Sequence, residues 1–200
     1  MHNPGKVHIT ALKRTLRYLK GTTTHGLLYD FSKSHSRKLS IYGYYDAAHA
    51  DCPDSLKSTN AYLFFFGDAT ISWHTKLHSY VTTSTNHSEY CGAAKASREA
   101  KWFQMLATSI GFSHLVSPVD LFSDSKGAIA MTQNPVHRSA SKHVDLADHY
   151  ARECYERGIT TVSFMPTAKM IADLLTKQLP RNAFETHRTA MGVLPTPHWA

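Results

Sequence analysis

The order in which hydrophobic periodicity changes along the chain constrains its fold more than any other feature. Three strand-length runs, residues 39–46, 60–66 and 69–75, follow one another, and Gly67-Asp68 joins the last two through a tight hairpin. Around Glu89 the period lengthens to that of a helix: Ala93, Ala96, Ala100, Phe103 and Ala107 recur along one face, and Gly111 closes the segment. Consecutive antiparallel strands followed by one long helix require a sheet with a helix packed on its face.

The second half alternates. Residues 118–124 read as a short buried strand that runs directly into a helix through Gly127, Ile129 and Met131, which Asn134-Pro135 breaks. Residues 144–155 predict a second helix, 159–165 a strand stopped by Pro166, and Met170, Ile171, Leu174 and Leu175 a further amphipathic helix. Ahead of the sheet, residues 7–20 predict a helix with Val7, Ile9, Leu12, Leu16 and Leu19 on one side and Lys13, Arg14, Arg17 and Lys20 on the other. That basic side is either a solvated face or a phosphate contact. The tail after Pro180 reads as accessory, and no internal repeat is present. The fold class is therefore α/β: a mixed sheet of three antiparallel strands and two further strands, flanked by helices.

Composition narrows the function. A chain of 200 residues, 42% hydrophobic and 18% charged, has enough apolar material for a globular core. The apolar run Tyr62 to Phe66 is too short to span a bilayer, and no apolar signal segment follows Met1, so an intracellular protein without a membrane partner is expected. Cys52, Cys91 and Cys154 lack any Cys-x-x-Cys pair and read as reduced packing residues. The six-residue spacing of His137, His143 and His149 suits no single helical face, which argues against a zinc site. Trp73 and Trp102 read as core rather than as base-stacking platforms. A net charge of +7 and a pI near 9.3 favour a polyanionic partner, since each neutralised phosphate releases counterions.

Four acids fall on four different predicted elements: Asp46 on the first strand, Glu89 at the start of the long helix, Asp124 at the end of the buried strand and Asp173 on the last helix. Each has a local reading. Asp46 could end its strand in a turn with His49 and Asp51; Glu89, three residues after Asn86, suits a capping box; Asp124 could cap the helix beginning near Ser125; Asp173 could complement the positive end of its own helix. As a set they suit a different chemistry. Two divalent cations about 4 Å apart need several shared carboxylate oxygens, and a like-charge cluster is costly without cations. Asp120, earlier on the strand of Asp124, is the one serious rival.

The segments YGYYDAAHADC, ATISWHTKLHSYVTTSTNHSEY, FSDSKGAIAMTQNPVHRSASKHVDLADHYARE and FMPTAKMIADLLTKQLPRNAF resemble, in order, the ribonuclease H region of copia-type retrotransposon polyproteins, and LKRTLRYLKGTTTHGLLYD resembles the connection after the reverse transcriptase. The resemblance implies a ribonuclease H-like fold over residues 36–180, a reverse transcriptase connection over 1–35 and a tail over 181–200. It implies Asp46, Glu89, Asp124 and Asp173 as catalytic metal ligands, two Mg²⁺ or Mn²⁺ ions, and in-line attack by water on the RNA strand of an RNA/DNA hybrid. Asp46 would bridge the two ions, Glu89 and Asp124 would serve the leaving-group side, and Asp173 the water side. The implied partners are the hybrid and an upstream reverse transcriptase domain; the implied location is cytoplasmic, within a virus-like particle for an active element, or nuclear.

Arg138, Lys142 and His143 form a candidate basic patch for that hybrid, with a solvated surface as the other reading. Some features depart from the family pattern: Ala48 and His49 stand where it often has a second acid and a tryptophan, His87 where it often has an acid, and no histidine precedes Asp173 in its loop. These departures leave a catalytically silent remnant that binds nucleic acid or a reverse transcriptase as the alternative to an active nuclease.

Overall fold

The computed structural model describes residues 4–29, 40–116, 118–134 and 149–196. A helix, α1 (Lys6–Gly21), leads into a short strand, β1 (His25–Leu27). The sheet is built from β2 (Ile41–Ala48), β3 (Thr59–Phe66), β4 (Ala69–Leu77), β5 (Val119–Ser123) and β6 (Thr160–Phe164). Between them lie α2 (Thr85–Ser109), α3 (Lys126–Gln133) and α4 (Tyr150–Glu156), and after them α5 (Asp173–Thr176), α6 (Arg181–Ala190) and β7 (Val193–Pro195). The sheet order is β4-β3-β2-β5-β6. β2, β3 and β4 pair antiparallel, while β5 runs parallel to both β2 and β6. This is the mixed sheet the periodicity predicts.

The parallel β2–β5 pair positions the site. In a parallel pair both chains leave the sheet at the same edge, so Asp46 near the end of β2 and Asp124 just after β5 emerge side by side. One sheet face carries Tyr45, Phe64, Val119, Leu121 and Val162 against Ala93, Ala96, Ala100 and Phe103 of α2, all buried. Alanines at these positions let the helix axis approach the sheet. Gly92 brings it closer still: a Cβ there would lie 3.3 Å from Asn60 Nδ2 and 3.6 Å from the Asp46 carbonyl oxygen. The residue one turn earlier on α2 is Glu89, so the close approach that Gly92 permits also carries that carboxylate to the end of β2.

The opposite face carries Leu63, Phe65, Tyr42 and Tyr44, and it is covered by Ile171, Leu174, Leu175, Met191 and Val193. The segment beyond Pro180 thus closes the second layer. Thr70 Oγ1 donates to the Met191 carbonyl at 2.6 Å, and β7 pairs antiparallel with β1, matching His25 to Pro195 and Leu27 to Val193.

Some expectations are revised. Trp73 and Trp102 are each 52% exposed, so neither is a core residue: Trp73 lies on the edge strand β4, paired with Leu63, and Trp102 on the solvent side of α2, edge-on to the buried Phe103. The amphipathic helix expected around residues 170–175 is broken into a 3₁₀ turn, Thr167–Lys169, and the four-residue α5, with Met170 buried between them. α1 forms as expected, yet its apolar side is exposed, with Val7 at 78%, while Tyr18 meets Phe184 of α6 edge-on at 5.6 Å. The helix predicted over residues 144–155 is seen from Tyr150; its earlier part lies outside the described residues. Cys91 and Cys154 are buried and Cys52 is partly buried, and none of the three forms a disulfide among the described residues.

Candidate metal centre

Asp46, Glu89 and Asp124 meet at the sheet edge. Each offers a carboxylate oxygen within 4.8 Å of those of the other two, and this is the one such group of acids, histidines and cysteines among the described residues. Asp46 is fully buried, Glu89 is 4% exposed and Asp124 is partly exposed. Glu89 and Asp124 line an open cleft of about 490 Å³ with Ala47, Ala48, His49, Thr85, Ser125 and Lys177, and Asp46 lies buried behind them.

The local readings can now be weighed. Asp46 lies inside β2, paired with Ala61, and ends no turn. The cap of α2 is Ser84, whose side chain accepts from the His87 backbone N–H, so Glu89 lies inside the helix and caps nothing. The cap of α3 is Ser125, which accepts from the Ala128 N–H at 3.2 Å, and Asp124 is left to face the cleft, its Oδ2 accepting from Thr167 Oγ1 at 2.7 Å. Asp173 is the first residue of α5, where a negative charge favours the helix end. The rival Asp120 is exposed and accepts a hydrogen bond from Thr161 on the neighbouring strand.

Asp173 reaches the cluster through a lysine. Lys177 Nζ donates to Asp173 Oδ1 at 2.7 Å and to Asp46 Oδ1 at 3.2 Å. Thr176 Oγ1 donates to Asp46 Oδ2. Sequence reasoning missed both residues. The available signal was spacing: Lys177 follows Asp173 by four, the separation at which helical side chains meet.

The electrostatics match this crowding. The Glu89 carboxyl is pushed up to about 9, first by burial and then by the charges of Asp46 and Asp124; Lys177 and the Ala47 backbone pull against the rise. Asp173 is also raised, by burial first, although its hydrogen bond from Lys177 opposes the shift. For Lys177, burial would lower the pKa, but the hydrogen bond to Asp173 and the charge of Asp46 outweigh it and hold the ammonium well above its usual range.

A divalent cation fits this arrangement. Glu89 Oε2 is buried with no hydrogen-bond partner among the described residues, so a ligand atom is left over. An all-carboxylate donor set suits a hard cation such as Mg²⁺ or Mn²⁺. The departures from the family pattern stand beside the cluster, outside it. His49 Nδ1 lies 3.1 Å from Thr82 Oγ1, and His87 Nδ1 lies 3.1 Å from Thr83 Oγ1. His149 meets Tyr90, its Nδ1 3.4 Å from the phenol oxygen. Arg138, Lys142 and His143 lie outside the described residues, as do His137 and the rest of 135–148. No described helix is long and apolar enough to cross a membrane.

No protein-family model matches the chain. It is 37% identical over 197 residues to the retrovirus-related Pol polyprotein from transposon RE1 of Arabidopsis thaliana, covering 98% of this chain and 13% of that protein. It is 35% identical over 193 residues to the Pol polyprotein from transposon TNT 1-94 of Nicotiana tabacum, covering 96% of this chain and 14% of that protein. The chain thus spans about one-eighth of the length of these curated relatives. Among solved structures, a foamy viral protease-reverse transcriptase in complex with RNA/DNA hybrid aligns with a TM-score of 0.50 at 12% identity, over 74% of this chain and 22% of that one. LC11-RNase H1, isolated from compost, aligns over 74% of this chain and 98% of its own, with a TM-score of 0.49 and 15% identity. The strand order and directions, with the foamy viral neighbour, make the fold ribonuclease H-like. Over nearly its whole length the chain is thus homologous to one segment of plant retrotransposon Pol polyproteins.

Proposed function

We propose that this chain is the ribonuclease H domain of a copia-type element, an endonuclease that hydrolyses the RNA strand of RNA/DNA hybrids with two divalent cations. The observation that carries this reading is the convergence of the buried Asp46 and Glu89 with the partly exposed Asp124 at one sheet edge, with Asp173 joined to Asp46 through Lys177. Bound Mg²⁺ or Mn²⁺ would polarise the scissile phosphate and lower the pKa of the attacking water. The protein's part is to hold the ligands. Asp46, fixed by the β2 ladder and by Thr176, would be shared between the ions; Glu89 and Asp124, fixed by α2 and by Thr167, would bind on one side, and Asp173 on the other. The open cleft beside the acids gives a nucleic-acid strand access, and the positive net charge of the chain favours its approach. An upstream reverse transcriptase domain is the natural protein partner, and α1, with its exposed apolar side, is the element placed to meet it.

The test is cleavage of labelled RNA/DNA hybrid, RNA duplex and DNA duplex by purified protein with and without Mg²⁺. Cleavage of the RNA strand in the hybrid, dependent on Mg²⁺, is the expected result. Intact hybrid in the presence of folded protein and Mg²⁺ would leave a silent nucleic-acid-binding remnant as the better account.

A further inference from the structure

Lys177 carries a positive charge between the carboxylates of the two arms of the acid site. It leaves the end of α5 and crosses to β2, and its Nζ lies 2.7 Å from Asp173 Oδ1 and 3.2 Å from Asp46 Oδ1. Both acids are almost fully shielded from water, with side-chain exposures of 6% and 0%, whereas the lysine side chain is 37% exposed along the cleft wall. Two buried carboxylates on different elements repel each other across a low-dielectric gap. The ammonium sits in that gap.

A surface ion pair of this kind would be worth little, but here the carboxylates are desolvated and the cation is reachable from solvent. Lysine suits such a role: its ammonium is a compact point charge on a flexible stem, able to move several ångströms without disturbing the backbone. Arg would bind two carboxylates in a rigid fork and release them less readily.

We propose that Lys177 is a built-in counter-cation that holds Asp46 and Asp173 together in the metal-free protein and is exchanged for a divalent cation, so that it sets the site's metal affinity by competition. The inference rests on the reading of the acid cluster as a cation site, and goes beyond it by giving the metal-free state its own structure and a cost for leaving it. Binding of the cation breaks two hydrogen bonds of Lys177 and sends the ammonium to the open side of the cleft. Lys177 is in this sense a positioning residue with a regulatory effect on metal loading.

The test compares wild type, Lys177→Met and Lys177→Gln by calorimetric titration with Mn²⁺ and by thermal melting with and without it. Competition predicts that both variants melt lower than wild type without metal. It also predicts that they bind Mn²⁺ at least about tenfold more tightly, the gain of one broken ion pair that no longer opposes binding. Should neither variant fold, the wild type alone still decides the matter. Its Lys177 ¹⁵Nζ resonance is expected to be protected from exchange in the metal-free protein and to lose that protection on adding Mg²⁺. Equal or weaker Mn²⁺ binding by the folded variants, or a Lys177 signal indifferent to Mg²⁺ at concentrations that load the site, would overturn the competition. Absence of Mn²⁺ binding in wild type and variants alike would instead overturn the metal reading on which it rests.

Discussion

Asp46→Asn is expected to reduce Mg²⁺-dependent cleavage of an RNA/DNA hybrid by about a thousandfold or more while leaving the fold intact. A cation that polarises a phosphate contributes several kcal/mol to the transition state, and the loss of about 4 kcal/mol is about a thousandfold in rate. Asp46 is the residue on which that contribution depends most, because it is central to the cluster, fully buried, and fixed by the β2–β3 ladder and by Thr176. Asparagine preserves its size and one oxygen but removes the charge. Single-turnover cleavage measured beside a circular dichroism spectrum separates loss of chemistry from loss of structure. Cleavage within tenfold of wild type would mean that Asp46 does not hold the catalytic cation.

Glu89→Gln is expected to act in two directions at once, lowering cleavage as Asp46→Asn does while stabilising the metal-free protein. The reason is linkage. The Glu89 carboxyl has an ordinary pKa of 4.5 and is pushed up to about 9 in the fold by burial and by Asp46 and Asp124. A folded-state pKa above the unfolded one means that the folded protein holds the extra proton. That contribution to stability is fully present below the ordinary value and is lost as pH rises through the folded one. Wild type therefore becomes less stable relative to Glu89→Gln between pH 5 and pH 8, by roughly 1.4 kcal/mol per pH unit. Over that window the variant's advantage grows by about 4 kcal/mol, or roughly 8–16 °C in melting temperature for a chain of this size. Saturating Mg²⁺ should remove most of the difference, since the cation neutralises the wild-type carboxylate and has less to bind in the variant. A variant that melts at or below wild type at pH 8 without metal would mean that Glu89 is not under the electrostatic load the cluster imposes.

The sheet was legible in the sequence because β2, β3, β4 and α2 each carry a long, unbroken period: the Gly67-Asp68 hairpin and the alanine stripe of α2 leave little alternative. The two short strands β1 and β7 were not, since three residues cannot display a period, and their pairing joins positions more than 160 residues apart. α6 was missed because its apolar side is sparse, with Ala183 and Phe184 set among polar residues. Trp73 and Trp102 were misjudged for a related reason: composition places large aromatics inside, while Trp73 lies on the edge strand β4 and Trp102 lies off the alanine stripe of α2.

The site was legible as residue types on ordered elements, and its electrostatic partners were not. Nothing local in the sequence says that Ser84 and Ser125, rather than Asn86 and Asp124, cap their helices; the structure shows it, and thereby leaves Glu89 and Asp124 to face the cleft. Lys177 and Thr176 became visible only when α5 docked against β2, because their contacts with Asp46 span 131 and 130 residues. The resemblance of the segments to retrotransposon polyproteins, by contrast, was carried by sequence alone and is matched by relatives that span nearly the whole chain.

The most direct test of the acid cluster as a cation site is calorimetric titration of Mg²⁺ into folded wild-type protein and folded Asp46→Asn, at the same pH and salt. Saturable binding to wild type that is lost or weakened at least about a hundredfold in the variant, a difference of about 2.7 kcal/mol, is the predicted result. Equal binding to both proteins, or none to wild type, would contradict it.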